Sequence, residues 1–147
     1  MAVLISTERE RVWRALADSS EVVRWDDSRT ALIDRECTYP VIGEQFRWRS
    51  KLGGVALVLN ETPIEVEPPG RLAVTCSMGS LRYEELFLLA AEADGRAHNE
   101  RTRVSLKLST GNRLQLLGTD LDRFELREML IGRVDRTLRS LQKWCEN

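Results

Sequence analysis

At 147 residues the chain is the length of one ordinary domain, long enough to build a substantial core. Its 22 Lys and Arg against 23 Asp and Glu leave a formal net charge of -1, which excludes a global field for nucleic acid or an acidic membrane. Three cysteines, Cys37, Cys76 and Cys145, are odd in number and far apart, so buried free thiols in a reducing cytosol are expected rather than a disulfide framework or a metal site.

The N-terminal apolar run, residues 2–5, is too short for a signal peptide, and no run of about 18 apolar residues exists to span a membrane. A cytoplasmic protein without membrane insertion is expected. Residues 2–6 read as a short strand. Thr7 and Glu10 then form a T-x-x-E pattern, predicting a capping box at the start of a helix that carries Val12, Trp13 and Leu16 on one side. Asp18, Ser19 and Ser20 break it, and residues 21–25 predict a second short helix ended by Asp26 and Asp27.

From Thr30 to Ser109 apolar and polar residues alternate. Pro40 with Gly43, Gly53-Gly54, Pro68-Pro69-Gly70, Gly79-Ser80 and Asp94-Gly95 divide the segment into six candidate strands. Gly-Gly and Gly-Ser suit two-residue hairpins, and the absence of intervening helical patterns argues for an antiparallel meander. Phe46, Trp48 and Leu52 alternate with Arg47, Arg49 and Lys51; Leu72, Val74, Cys76 and Met78 alternate with Ala73, Thr75 and Ser77; Val104, Leu106 and Leu108 alternate with Arg103, Ser105 and Lys107. One face is therefore apolar and the other wet. In residues 55–67 the apolar phase runs 55, 57, 59 and resumes at 64 and 66, which predicts a β-bulge or bend beside Pro63.

The chain closes on a long amphipathic stretch. Leu117, Leu121, Phe124, Ile131, Val134, Leu138, Leu141 and Cys145 follow helical spacing, while Arg123, Glu125, Arg127, Arg133, Asp135, Arg136, Arg139 and Lys143 fall mostly off that face. Thr119 or Asp120 is the expected N-cap, which would start the helix just after Gly118. Seven strands at about 4.8 Å make a sheet roughly 30 Å wide, whereas one helix is about 10–12 Å across. A single helix covers such an apolar face only if the sheet curls around it, an arrangement that readily leaves an apolar cavity between the two.

The order of elements, together with V-W-R-A-L-A-D at 12–18 followed by Trp25, G-E-Q-F at 43–46, E-V-E-P-P-G-R-L at 65–72 and L-R-S-L-Q-K-W at 138–144, resembles the START-like, or SRPBCC, superfamily. That superfamily includes polyketide cyclases and dehydratases, lipid-transfer domains and the Hsp90-activating Aha1 domain. The resemblance implies an α+β helix-grip fold over residues 1–147: a curled antiparallel sheet of about seven strands wrapped on the long C-terminal helix, with two short helices after the first strand. It implies a small hydrophobic ligand, lipid-like or aromatic and polyketide-like; separately, the sequence's lack of nucleotide and zinc motifs leads to the expectation of no cofactor or metal. The alternatives it carries are a cyclase or dehydratase using a pocket carboxylate, and an interaction module whose outer surface binds a protein partner. The first strand is shorter than the family's and the loop at 95–101 unusually polar.

The residues that would carry ligand chemistry follow from the inward phase. Tyr83, Glu85, Phe87 and Leu89 share one strand face, which puts Glu85 among apolar neighbours, and Glu128 falls near the apolar stripe of the last helix. A carboxylate in an apolar cavity has a raised pKa and can act as a general acid or base, so Glu85 and Glu128 are the catalytic candidates; paired with arginine or facing water, they are structural. Trp25, Trp48, Met78, Tyr83, Phe87 and Phe124 are the other candidates for the ligand wall, or plain core if the cavity is filled. The sole histidine, His98, lies in a predicted hairpin tip, which does not suit a triad or zinc site, and no nucleotide-binding or C-x-x-C motif occurs. The basic rows on residues 47–51 and 101–107 read as solvated faces on separated strands rather than a nucleic-acid surface.

Overall fold

The computed structural model describes residues 1–34, 38–52, 55–79, 81–93, 100–110 and 123–147. The elements are β1 (Ala2–Ile5), α1 (Arg9–Ala17), α2 (Ser19–Trp25), β2 (Ala31–Leu32), β3 (Phe46–Leu52), β4 (Val55–Glu67), β5 (Arg71–Met78), β6 (Leu81–Ala93), β7 (Glu100–Thr110) and α3 (Arg123–Glu146). All strand pairings are antiparallel, in the order β1-β7-β6-β5-β4-β3-β2. This is the expected α+β arrangement, an open seven-stranded sheet with a long C-terminal helix and two short helices after the first strand. Among the described residues no helix is long and apolar enough to cross a membrane.

Period-two alternation determines the core. Phe46 and Trp48 on β3, Leu59 on β4, Leu72, Val74, Cys76 and Met78 on β5, Tyr83, Phe87 and Leu89 on β6, and Val104 and Leu106 on β7 are all buried. The predicted irregularity in β4 is a register shift between Pro63 and Glu65. It leaves Ile64 exposed and brings Val66 opposite the buried Leu72, so the inward phase resumes at 66 and not at 64. Gly79, at φ 58°, adopts the left-handed conformation that the β5–β6 turn needs and a side chain would resist.

The helices enter at one end of this surface. The Thr7/Glu10 capping box does not form: Glu8 occupies the N-cap of α1 without a side-chain bond, and the Thr7 carbonyl instead accepts from the Thr102 hydroxyl at 2.8 Å. Asp18 does cap α2, accepting from the Ser20 amide at 2.9 Å. Helix α3 packs against β1, β7, α1 and α2 through Val134, Leu138, Leu141 and Cys145. Three polar ties fix its end: Gln142 Nε2 donates to the Leu4 carbonyl at 3.0 Å, Trp144 Nε1 to Glu21 at 3.0 Å, and the Ser6 amide to Glu146 at 2.9 Å.

Two positions on α3 depart from the expected face. Ile131 is 39% exposed, whereas Arg133 is buried. Among the described side chains the buried apolar stripe runs through Val134, Leu138, Leu141 and Cys145, and Arg133 is turned inward beside it by partners on the sheet described below. The cap expected at Thr119 or Asp120, with Leu117 and Leu121, lies outside the described residues, as do Cys37 and His98.

Leu141 is fully buried, so Leu141→Ala should lower the unfolding free energy by about 2–5 kcal/mol through lost transfer energy and a residual cavity. Ile131→Ala should cost under about 1 kcal/mol, since much of that side chain already meets water. Urea unfolding of the two variants checks the boundary of the anchoring face.

Candidate functional site

Beneath the helices the inner sheet face is not purely apolar. Asp26, Arg29, Glu61, Glu85 and Arg133 are all buried and form one continuous ionic cluster. Each arrives from a different place. Asp26 caps the C-terminus of α2 and Arg29 follows in the connection to β2. Glu61 continues the inward phase of Leu57 and Leu59 on β4, Glu85 that of Tyr83 and Phe87 on β6, and Arg133 descends from α3.

Arg29 is the centre. Its Nε and Nη2 both donate to Glu61 Oε1, at 3.0 and 2.6 Å, its Nη1 to Asp26 Oδ2 at 2.8 Å, and Nη2 also to Glu85 Oε2 at 3.2 Å. The other Glu85 oxygen accepts from Arg133 Nη2 at 3.0 Å, and Arg133 Nη1 donates to the Tyr83 hydroxyl at 2.6 Å. Trp48 Nε1 donates to the second Glu61 oxygen at 3.1 Å, and the Ser28 amide and hydroxyl both donate to Asp26. Tyr39 closes the side, its ring edge-on to Phe46 and Trp48 at 5.0 and 5.2 Å between centroids.

The electrostatics sort these groups. Burial pushes the Asp26 carboxyl up, but Arg29 and two bonds from Ser28 outweigh it and leave the pKa lowered. Burial raises the Glu61 pKa, and although Arg29 opposes this, the Glu85 charge adds to it, so the Glu61 carboxyl is left with a raised pKa. The cluster thus separates an ionised acid at its edge from one in its interior that holds its proton more firmly. Burial likewise raises the Tyr83 phenol and the Cys76 thiol, so both are neutral at ordinary pH, and each accepts from a guanidinium, Tyr83 from Arg133 and Cys76 from Arg29. Cys76 and Cys145 are buried free thiols. Among the described residues no group of His, Cys, Asp and Glu could hold a metal ion; the three clustered carboxylates converge on a guanidinium instead.

A cavity of about 10 Å³ lies against the cluster, bounded by Trp25, Asp26, Arg29, Tyr39, Glu61 and Glu85 among others. It has room for roughly one water molecule. A larger open groove of about 560 Å³ lies among Asn60, Thr62, Thr75, Ser77, Arg82 and Glu84, which alternation places on the outer, polar face of the sheet.

Of the residues predicted to line a site, the structure brings Trp48, Tyr83 and Glu85 directly into the cluster and places Trp25 and Phe87 on the small cavity. Met78 is buried on the same inner face. Glu128 is exposed and takes no part, and the side chain of Phe124 lies outside the described residues. Sequence reasoning missed Asp26, Arg29, Glu61 and Arg133. Glu61 had a signal, because it stands two residues beyond Leu59 in an established inward phase. Arg29, in an irregular connection, had none.

A helix-grip protein with an ionic cluster on its inner sheet face is thus the class that fold and site define. The chain belongs to the family described as Activator of Hsp90 ATPase homolog 1-like protein, which matches residues 6–143, and so to the START-like superfamily. Solved structures agree on the fold. A START superfamily protein from Mycobacterium smegmatis superposes with a TM-score of 0.72 at 11% identity, over 99% of this chain and 94% of that one. A protein from Arthrobacter aurescens gives 0.71 at 13% identity, over 98% and 83%. DynU16, from the dynemicin biosynthetic locus, gives 0.60 at 20% identity, over 97% of this chain and 46% of that one. No curated protein sequence matches the chain.

Two measurements test the cluster. Arg29→Met leaves three buried carboxylates without their shared cation and should cost about 3–5 kcal/mol in urea unfolding, against under about 1 kcal/mol for Arg47→Met in the exposed Arg47–Asp34 pair. The raised Glu61 pKa means that the folded state binds this proton more tightly than the unfolded chain. Its stabilising contribution is then complete below the model-peptide value of 4.5 and is lost as pH rises through the folded value. Glu61→Gln should remove that decline, so the difference in stability between variant and parent should shift in the variant's favour from about pH 4 to about pH 8.

Proposed function

We propose that the protein binds a small hydrophobic ligand between the sheet and α3, with the ligand's polar group addressed by Tyr83 and Glu85. Proteins of this superfamily commonly bind hydrophobic ligands, and the coarse reading rests on that membership. The observation that carries it to these residues is the ionic cluster itself. Five charged side chains are buried beside Trp25, Trp48 and Phe87, where well-packed apolar residues of similar volume are often as stable or more so. Perturbed ionisable groups at such positions are typical of working sites. The cavity at the cluster holds about one water, so an organic ligand does not replace the cluster but meets its edge, where Arg133 reaches from α3 to Tyr83.

A second reading has one observation in its favour: a buried carboxyl with a raised pKa, Glu61, is what a cyclase- or dehydratase-type acid–base step requires. Glu61 is nonetheless bonded on both oxygens, by Arg29 and by Trp48, which favours the binding reading. An interaction module of the Hsp90-activator kind rests on the family description alone.

Native mass spectrometry of the purified protein, and quenching of Trp25 and Trp48 fluorescence by a panel of lipids and polyketide-like aromatics, test the proposal. A retained mass or saturable quenching is expected, weakened several-fold by Tyr83→Phe for ligands bearing a hydroxyl or carbonyl. No bound mass and no quenching across the panel would sink it. Turnover that disappears in Glu61→Gln while ligand affinity survives would replace it with the enzymatic reading.

A further inference from the structure

Residues 38–45, which lead into β3, send one aromatic ring towards the interior. Thr38 and residues 42–45 are exposed, whereas Tyr39 is half-buried and reaches the cluster. Alternation on β3 turns Phe46, Trp48 and Ser50 inward, and the Tyr39 ring stands edge-on to the first two, with both interplanar angles at 89°. The far end of the ring lies beside Glu61: burial first, and then the Glu61 charge, hold the Tyr39 phenol well above its ordinary pKa. The same ring walls the water-sized cavity that it shares with Trp25, Arg29 and Glu61. Little else fastens the segment. Among the described residues its backbone before β3 bonds to the sheet only from the Gly43 amide to the Pro63 carbonyl, at 2.9 Å, and Ile42 is 58% exposed.

We propose that Tyr39 is a displaceable plug: its ring fills a site for one phenolic ring of a ligand, on the β3 side of the cluster, and such a ligand binds by taking its place. This goes beyond the reading above and does not rest on it, because β4 and β5 separate the Tyr39 site from Tyr83 on β6. The space comes from the departing side chain, and exchange of one ring for another conserves volume. The ring that fits is defined by the ring now there. Phe46 and Trp48 offer edge-to-face contacts to an aromatic, and the Glu61 carboxyl can accept from a hydroxyl. An anionic ring is disfavoured, since it would meet Glu61 and Glu85 with both buried guanidiniums, Arg29 and Arg133, already engaged by carboxylates. A tethered occupant is also a competitor. Free ligand therefore binds the parent more weakly than it binds the emptied site, by the fraction of molecules in which Tyr39 has left.

The test uses toluene, p-cresol and 4-methylbenzoate as matched probes in equilibrium dialysis, with the parent and Tyr39→Ala. p-Cresol should bind Tyr39→Ala between about tenfold and a hundredfold more tightly than the parent. In that variant it should bind about fivefold more tightly than toluene, the worth of one net hydrogen bond, and more tightly than 4-methylbenzoate. Displacement is read in the parent itself. The chain holds two tyrosines, so labelling with 3-fluorotyrosine gives two fluorine resonances, and Tyr39→Phe assigns them. At about a hundred times the variant's Kd, p-cresol should move the Tyr39 resonance to the position of the free amino acid and leave that of Tyr83 in place. Equal affinity in parent and Tyr39→Ala, no binding to a Tyr39→Ala protein that is folded by circular dichroism, or a Tyr39 resonance that p-cresol leaves unmoved overturns the plug. Should Tyr39→Ala not fold, the fluorine experiment on the parent decides alone. Preference of the variant for toluene or 4-methylbenzoate overturns the phenolic class. Each of these outcomes leaves the ligand reading at Tyr83 and Glu85 to its own test.

Discussion

The structure depends on a single guanidinium. Arg29 lies in a connection without regular structure, yet it is the only group that touches Asp26, Glu61 and Glu85 at once among the described residues. Without it, three carboxylates would meet in a space of low dielectric, where like charges repel strongly and desolvation is costly. With it, the exit of α2 is tied to β4 and β6, two strands that are not neighbours in the sheet. The position of the short helices at one end of the sheet follows from this bond set as much as from apolar contact. It also explains why Trp48, a large side chain with one donor, is fully buried: its N–H has the second Glu61 oxygen to bond.

Glu85 extends the network to the helix. One of its oxygens faces Arg29 and the other Arg133, so the carboxylate bridges two cations that would otherwise repel. Arg133 also donates to Tyr83 and stacks at 4.9 Å from that ring's centroid, a contact worth more in a desolvated setting than at the surface. Three carboxylates against two guanidiniums leave one negative charge in excess when all are ionised. The structure places that burden on Glu61, whose burial and proximity to Glu85 favour the protonated form.

Much of the fold was legible because alternation and helical spacing are properties of single elements. The phases of β3, β5, β6 and β7 predicted the buried face, and the break beside Pro63 predicted the register shift in β4. Glu85 was legible for the same reason, since Tyr83 and Phe87 fixed its direction. Glu61 and Ser50 obey the same rule but are polar, and a pattern of apolar residues passes over them. Arg133 was misread because a charge beside an apolar stripe ordinarily snorkels to water; only partners from β6, 48 and 50 residues earlier, turn it inward. Arg29 was beyond any such rule. Its burial is a property of four segments meeting, and no local pattern encodes that.

The described side chains of the last helix therefore meet the rest of the fold by two kinds of physics. From Val134 onward it is anchored by apolar burial and by ties to Leu4, Ser6 and Glu21, contacts that water does not readily replace. At Arg133 the attachment is ionic and directional, made to a carboxylate and a phenol. Apolar packing holds over a range of small displacements, whereas a 2.6 Å hydrogen bond does not. A molecule competing for Tyr83 or Glu85 would thus act on the helix at Arg133 while leaving its C-terminal anchor in place. Among the described side chains of α3, the ionic attachment at Arg133 and the apolar anchor from Val134 onward are thus adjacent but separable.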